Sequence, residues 1–269
     1  MTASNAVLSE MNMPMRPTKD LALVAWKKAM SGYKGAKQPE LCEASAPFSE
    51  SAGKRMQLPR GTGEEAGPVA GNDHWSGYVD TQGSFTAVGA EWYQTSPFNN
   101  GTSAEVTWVG IGGWNSGKLL QDGTTTPGSD EYQYAFWEYL GGKSVGILSV
   151  NQVSSGDTIE AQVYYAAAST GTAKFYVHDD GIMVLNERET GINQDYDSST
   201  VEYINERPER NGPYLPLTNT GVTYFWDSNG INSSGSSVPV GANGVIGVEM
   251  TTDGSIVTAN CSSSSKMLQ

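Results

Sequence analysis

The side chains in this sequence that could catalyse a reaction are mainly carboxylates and amides. The chain has two histidines, His74 and His178, and two cysteines, Cys42 and Cys261, and these make no metal-binding spacing. No Gly-x-Ser-x-Gly, His-Glu-x-x-His, Asp-Thr-Gly or Asp-Ser-Gly motif is present. An enzyme built on this sequence would therefore use a carboxylate, an uncharged amide and a water molecule, with neither a metal nor a cofactor.

The elements that must position such groups are strands. Alternating apolar residues predict strands at Phe85–Tyr93, Glu105–Gly110, Tyr132–Leu140, Val145–Val150, Asp157–Tyr165, Ala173–Val177, Ile182–Leu185, Val201–Glu206, Val222–Trp226, Val245–Met250 and Ser255–Thr258. Turn signals separate them at Ser154–Asp157, Asp179–Gly181, Ser228–Gly230 and Asp253–Gly254. Many short strands at this spacing predict an all-β protein, an antiparallel β-sandwich.

Charge is distributed unevenly and excludes one class of partner. The net charge is -13, and residues 1–72 hold nine Lys and Arg against seven Asp and Glu, a sum of +2. The remainder therefore sums to -15. An acidic domain repels phosphates, so we expect no nucleic-acid partner. No run of 18 apolar residues occurs, so we expect no membrane span.

The first 72 residues differ from the rest in pattern. Asp20–Met30 is helix-like, and residues 35–71 are rich in Pro, Gly, Ser and charge with little strand pattern. We therefore predict a poorly structured or partly helical extension over 1–72 and a β-sandwich domain over 73–269. No charged and apolar signal peptide is visible at the start.

Five segments carry a family resemblance. They are residues 74–79 (HWSGYV), 108–113 (WVGIGG), 119–123 (LLQDG), 136–139 (FWEY) and 201–206 (VEYINE). In this order they resemble the motifs Asn-Trp-(Ser/Ala/Gly)-Gly, Trp-Val-Gly-Ile-Asp-Gly, Ile-Leu-Gln-Thr-Gly, Trp-Tyr-Glu-Trp and Ala-Glu-(Trp/Phe)-Ile-(Val/Ile)-Glu of the glutamic peptidases, or eqolisins. Order and approximate spacing agree across residues 74–259.

The resemblance implies a fold, an activity and a site. The fold is a concanavalin A-like jelly roll of two curved sheets, and the activity is that of an acid-acting, secreted and monomeric endopeptidase on proteins or peptides. Residues 1–72 take the place of the family's pro-segment. Gln121 and Glu206 take the place of the catalytic pair. The implied substrate-binding or supporting residues are Trp75, Gly77, Trp108, Glu138 and Glu202.

Three departures from the family motifs concern Asp or Asn positions. Gly112 replaces the Asp of the second motif, Tyr134 replaces an Asp that precedes the fourth, and His74 stands where Asn is usual. We expect the lost acids to change substrate preference or the pH profile, or to reduce activity. We expect Tyr134 to pack in the core, and the two histidines to lie on the surface or in turns.

The pair itself has the chemistry that peptide hydrolysis requires. A carboxylate such as Glu206 can take a proton from water and return it to the leaving nitrogen. An amide such as Gln121 can donate a hydrogen bond to the oxyanion and does not titrate in acid. In a strand, Glu202 and Glu206 share a face but lie roughly 13 Å apart, so Glu206 needs a partner from another strand.

Simpler explanations exist for each residue and for the whole chain. Glu206 could be a solvated carboxylate, Gln121 a strand-end polar residue, and Glu138 a structural acid. Trp75 and Trp108 could be core residues. A jelly-roll glycoside hydrolase using Glu138 and Glu206, or a non-catalytic carbohydrate-binding sandwich, are the alternative functions.

Overall fold

The computed structural model describes residues 69–95, 103–126, 133–141, 151–166, 171–192, 196–209, 214–218, 223–239, 245–252 and 256–259. The helix predicted at Asp20–Met30, the strand at Val145–Val150 and the turn at Asp253–Gly254 lie outside these residues. The described strands are β1 (Val69–Asn72), β2 (Trp75–Asp80), β3 (Phe85–Tyr93), β4 (Glu105–Gly112), β5 (Leu119–Thr126), β6 (Gln133–Leu140), β7 (Asn151–Val153), β8 (Thr158–Ala166), β9 (Thr172–Asp179), β10 (Ile182–Thr190), β11 (Val201–Glu206), β12 (Trp226–Asn232), β13 (Ser237–Pro239), β14 (Val245–Thr252) and β15 (Ile256–Ala259).

The strands form two sheets. Sheet A has the order β1-β14-β2-β11-β4-β5-β6-β7, with β15 paired to β14, and sheet B has the order β10-β9-β8-β3-β12-β13. Strands within each sheet pair antiparallel, apart from the parallel pair β1 and β14. The predicted all-β antiparallel sandwich is therefore confirmed.

The core lies between the two sheets and follows from the alternation of the strands. On β8, Ile159, Ala161, Val163 and Tyr165 are buried against the inner face of sheet A, in one apolar cluster with residues such as Val109 of β4. Burial of one such large apolar side chain contributes about 1.5–3 kcal/mol, so this core supplies much of the stability of the fold.

The outer face of sheet A carries a second apolar cluster. Its members come from strands in the centre of sheet A and are Trp75, Val79, Val106, Trp108, Leu119, Phe136, Ile204 and Val248. Sheet A is therefore buried on both faces near its middle, and the side chains beside this cluster lie in a partly dry environment.

Gly123 makes room for the largest member of the outer cluster. It lies opposite Trp108 in the register of β4 and β5. A Cβ atom at Gly123 would stand 2.1 Å from the Thr107 carbonyl oxygen and 2.9 Å from the Trp108 Cβ. The absence of a side chain at Gly123 thus lets β5 approach β4 beneath the indole.

The predicted strand bounds hold at β3 and β11, which match Phe85–Tyr93 and Val201–Glu206. The turn predicted at Ser228–Gly230 is wrong, because these residues lie inside β12. The register of β12 with β3 shifts between Trp226 and Asn229, and Asp227 has a φ of 47°. The turn-forming residues therefore make a bulge within a strand rather than a reversal.

The sheet begins before residue 73. Val69–Asn72 forms β1 and pairs in parallel with β14 from Gly247 to Met250. The Asn72 side chain also accepts hydrogen bonds from the backbone of His74 and Trp75, at 2.9 and 2.8 Å. These four residues are thus continuous with the sandwich.

We expect Gly123→Ala to destabilise the protein by about 1–3 kcal/mol, because overpacking of a close strand contact has this cost. The measurement is denaturant-induced unfolding at fixed pH. Gly117→Ala is the matched control, since a Cβ atom there meets nothing within 4 Å. Equal stability of the two variants would show that the strand approach at Gly123 is not constrained.

Candidate active site

Gln121 is held on the outer face of sheet A by the register of three strands. It lies opposite Gly110 of β4 and opposite Glu138 of β6. The side chain is buried, with 4% of its surface exposed, and its Nε2 donates a hydrogen bond to Glu138 Oε2 at 2.6 Å. Its Oε1 has no hydrogen-bond partner among the described residues. The amide is therefore held by one hydrogen bond that its nitrogen donates, and its oxygen can still accept another.

Glu206 lies at the end of β11 on the same face. It is opposite Trp75 of β2 and Val106 of β4, and it is partly exposed. Its Oε2 accepts a hydrogen bond from Trp108 Nε1 at 2.7 Å. The carboxyl group is thus held by an indole that is itself fully buried.

The surroundings raise the pKa of Glu206 to about 8. Loss of hydration is the largest cause, and the negative charge of Glu138 adds to it. Hydrogen bonding from the Trp108 indole acts in the opposite direction. Burial also raises the pKa of Glu138, while the bond from Gln121 lowers it. The two carboxyl groups therefore influence each other's protonation.

Trp108 connects the two halves of the site. Its Nε1 reaches Glu206, while its Cζ3 lies 2.9 Å from the position that a Cβ of Gly110 would occupy. Gly110 is the cross-strand neighbour of Gln121. The indole therefore extends from the carboxyl group of Glu206 to the strand position beside Gln121, and it forms the apolar floor between them.

Glu202 lies on the same face of β11 as Glu206 but is fully buried. Burial raises its pKa well above the ordinary value, and the Asp197 charge adds to this. Neither carboxyl oxygen has a hydrogen-bond partner among the described residues. Glu202 was predicted to be a supporting residue, and its burial fits a neutral group behind the site rather than one in contact with solvent.

Trp75 and Gly77 lie beside these residues on β2. The Trp75 ring contacts the Trp108 ring edge-on, with centroids 5.0 Å apart. Gly77 faces Ile204 of β11, and a Cβ atom there would lie 2.0 Å from the Tyr203 carbonyl oxygen. Gly77 therefore permits the close pairing of β2 with β11, which brings Trp75 to Glu206.

The departures at Gly112, Tyr134 and His74 have different structural settings. Gly112 has a φ of 80°, and a Cβ atom there would meet the carbonyl oxygens of Asp197 and Lys118 at 2.5 Å, so an Asp would not fit this backbone. Tyr134 is partly exposed and shares the outer face with Glu138, so its expected place in the core is wrong. His74 stacks on the Tyr214 ring at 4.6 Å.

Two aromatic residues that were not predicted lie next to the predicted ones. Trp114 lies 6.5 Å from Trp75, ring centroid to ring centroid, and Tyr214 interacts with the charges of Glu206 and Arg207. Trp114 could have been predicted, because it directly follows the segment 108–113. Tyr214 follows a Pro- and Arg-rich stretch whose path no strand pattern predicts.

No cofactor or metal was predicted, and one group of ligand-type side chains stands apart from the site. The carboxylates of Asp157, Asp179 and Asp180 lie within 4.8 Å of one another at the end of β8 and β9 in sheet B. Asp157 and Asp179 are buried and Asp180 is partly exposed, and this geometry alone does not assign a metal to them. In the described part of the chain no helix is long and apolar enough to cross a membrane.

This arrangement can do one kind of chemistry well. A carboxyl group with a raised pKa lies on the same buried face as an amide whose orientation is fixed by a second carboxyl group. The first can exchange a proton with water, and the second can donate to a developing negative charge. Such a site is suited to the addition of water to a carbonyl group.

Comparisons with known proteins give a family and a fold. The sequence model of the peptidase A4 family matches residues 73–268. A scytalido-glutamic peptidase crystallised with a transition-state analogue inhibitor is 21% identical, with a TM-score of 0.61, covering 71% of this chain and 94% of that chain. SCP-B, a member of the eqolisin family in complex with the tripeptide Ala-Ile-His, is 19% identical, with a TM-score of 0.58 and the same two coverages of 71% and 94%. A search of curated proteins finds no match.

We expect Glu138→Gln to lower the pKa of Glu206 from about 8 toward the ordinary carboxyl value, because the substitution removes a negative charge that raises it. The glutamine keeps a carbonyl oxygen that can accept the bond from Gln121. The measurement is a carbon-13 NMR titration of the Glu206 carboxyl group. Glu160→Gln on sheet B is the control and should leave that titration unchanged. An unchanged or increased pKa in Glu138→Gln would contradict the coupling.

Proposed function

Because this chain belongs to the peptidase A4 family and is thereby a glutamic endopeptidase, we propose that it hydrolyses peptide bonds with Glu206, Gln121 and one water molecule. The observation that carries this proposal is the placement of Gln121, Glu138 and Glu206 on one buried face of sheet A, with Trp108 between them. No contact of the described residues favours the glycosidase or carbohydrate-binding alternatives over it.

Glu206 acts first as the general base. In its ionised form it removes a proton from the water, whose oxygen attacks the carbonyl carbon of the peptide bond. The electrons of the carbonyl double bond move to its oxygen, and the second N–H of Gln121 donates to that oxyanion. Glu206 then returns the proton to the peptide nitrogen, the carbon–nitrogen bond breaks, and the site is restored.

Glu138 is the positioning residue of this mechanism. Its carboxyl group fixes the Gln121 amide through the 2.6 Å hydrogen bond and so decides which way the amide nitrogen and oxygen point. The unpartnered Oε1 of Gln121 is then available to hold the attacking water. Trp108 excludes bulk water from the floor of the site and donates to Glu206.

Two requirements of the protein set its working pH. The base step needs an ionised Glu206, whose raised pKa favours higher pH. The fold needs neutral Asp122 and Glu202, which are fully buried with raised pKa values. A carboxyl group whose pKa is higher in the folded state stabilises the fold fully at low pH, and this contribution is lost as the pH rises through the folded value. We place the optimum below pH 6, where the fold is protected and a minority of Glu206 is ionised.

The substrates are proteins or peptides, as the family implies. We infer secretion and a monomeric state from the same resemblance. The departures at Gly112 and Tyr134 replace acidic side chains, so we expect weaker selection for basic substrate residues than the family motifs imply. Tyr134 is partly exposed on the site face and offers an apolar contact there instead.

The N-terminal extension is proposed to be a detachable pro-segment that covers the acidic site. Residues 1–72 carry a charge of +2 against -15 for the rest of the chain, so the two parts attract each other. Because β1 pairs with β14, we place the point of separation before Val69 rather than after residue 72.

Acid should weaken the attachment of this segment, since protonation of the carboxylates removes one side of the attraction. We expect incubation of the full chain in acid to yield a fragment that begins near Val69, and we expect peptidase activity to rise as this fragment accumulates. Mass spectrometry of samples taken over time identifies the fragment. A full chain that stays intact and is fully active would contradict the pro-segment proposal.

We expect Glu206→Gln to abolish turnover of a protein substrate at acid pH while the protein stays folded, because the variant keeps the size of the side chain and loses the base. Gln121→Ala should reduce kcat about 100- to 1,000-fold through loss of the oxyanion donor. Chelators, and reagents for serine or cysteine, should leave the rate unchanged.

Matched substitutions on sheet B separate this effect from general damage. Glu160→Gln and Gln162→Ala should keep the normal rate, because these residues lie on the outer face of the other sheet. Near-normal hydrolysis by Glu206→Gln would contradict the assignment. Cleavage of a β-glucan or xylan with peptides spared would support the glycosidase alternative instead.

A further inference from the structure

Asp122 is a fully buried carboxyl group directly beside Gln121 in the chain. Because neighbouring residues of a strand point to opposite faces, Asp122 lies on the inner face of β5, between the two sheets. Its cross-strand neighbours are Val109 of β4 and Trp137 of β6. The corresponding position in the glutamic-peptidase motif is Thr, so this buried acid is a departure from that motif.

The Asp122 side chain joins sheet A to sheet B. Its Oδ2 accepts a hydrogen bond from the backbone N–H of Tyr176 on β9 at 2.9 Å. The backbone of Gln162, which lies opposite Tyr176 on β8, is a second donor that lowers the pKa of the group. Oδ1 has no hydrogen-bond partner among the described residues. The neutral group can therefore accept through Oδ2 and carry its proton on Oδ1.

Among the residues that the structure describes, no charged side chain contributes to the pKa of Asp122. The causes that act on its pKa are burial, which raises it well above the ordinary value, and the two backbone hydrogen bonds, which lower it. On the strands packed around it, the inner-face titratable residues nearest in register are Glu105 on β4, Tyr139 on β6, Tyr165 on β8 and Asp179 on β9. None of them supplies a positive charge that would stabilise an ionised Asp122.

We propose that Asp122 is a positioning residue for Gln121, and that its carboxyl group holds β5 against β9 only while the group is neutral. Asp122 and Gln121 are neighbours on the backbone of β5. The hydrogen bond from the Tyr176 N–H to Asp122 on the inner face, which we call the tie, therefore fixes the position and orientation of the Gln121 amide on the outer face. An ionised carboxylate at this place has no counter-charge and leaves the core to reach water. Sheet A then separates from sheet B at β5, and Gln121 loses its place beside Glu138.

The inference rests on the proposed function only for the role of Gln121. The tie between the sheets and its release stand on geometry, so they can be measured without turnover. A structural readout therefore separates a failure of this inference from a failure of the proposed mechanism.

The test follows the tertiary structure of the full chain by near-UV circular dichroism as the pH is raised from 4 to 10. The wild type should lose its signal in a transition at alkaline pH. Asp122→Asn keeps the shape and a carbonyl acceptor for the Tyr176 N–H but cannot ionise, so its transition should move up by about one pH unit or more. Its kcat at acid pH should stay within about threefold of the wild type, because the tie to β9 is retained.

Asp122→Leu removes both the acceptor and the charge. It should also resist alkali, but it should show faster amide hydrogen exchange at Tyr176 and a lower kcat with little change in KM at acid pH. If Asp122→Leu fails to fold, that failure together with an upward shift in Asp122→Asn supports the tie. Glu160→Gln is the control, because Glu160 lies on the outer face of sheet B, on the opposite side of that sheet from Asp122.

Two results would overturn the inference. One is an alkaline transition of Asp122→Asn that coincides with that of the wild type, which would assign the transition to other carboxyl groups such as Glu202. The other is an equal upward shift in Glu160→Gln, which would mean that any loss of negative charge has the same effect. An Asp122→Leu variant with wild-type exchange at Tyr176 would likewise remove the proposed contact.

Discussion

The site depends on the burial of one indole ring. Trp108 has no exposed surface, and its single polar atom donates to Glu206 at 2.7 Å. A buried indole N–H needs a partner, and a carboxyl group that accepts from it becomes fixed in place. Glycines at positions 110 and 123 provide the room in which the ring lies across three strands. The packing of Trp108 in sheet A thus also places the reactive carboxyl group of Glu206.

Buried carboxyl groups on both faces of sheet A make the folded state more stable at low pH than at high pH. Glu138, Glu202 and Glu206 occupy the outer face and Asp122 the inner face, and burial raises the pKa of all four. Such groups bind protons more tightly in the folded than in the unfolded state, so the fold is favoured as the pH falls. The same dry surroundings that raise the pKa of Glu206 therefore also favour the neutral form of the other buried acids.

Much of this could be predicted from strand alternation, and the rest depended on contacts between distant segments. The pattern at 201–206 correctly placed Glu202 and Glu206 on one face, because side-chain direction in a strand is a local property. The bond between Gln121 and Glu138 was not predicted, since it requires the register of β5 with β6, which local sequence does not fix. The pairing of β1 with β14 was missed for the same reason. The bulge in β12 was missed because the residue types at Ser228–Gly230 occur both in turns and in bulges.

The central claim is that Gln121 and Glu206 recognise the tetrahedral intermediate rather than the substrate, and differential binding measures this directly. The measurement compares the affinity of wild type and Gln121→Ala for a peptide-based transition-state analogue and for the matching uncleaved peptide at acid pH, by calorimetry. The account predicts that the variant binds the analogue about 100-fold more weakly and the peptide almost as well as the wild type. An equal loss for both ligands, or no loss for the analogue, would contradict it.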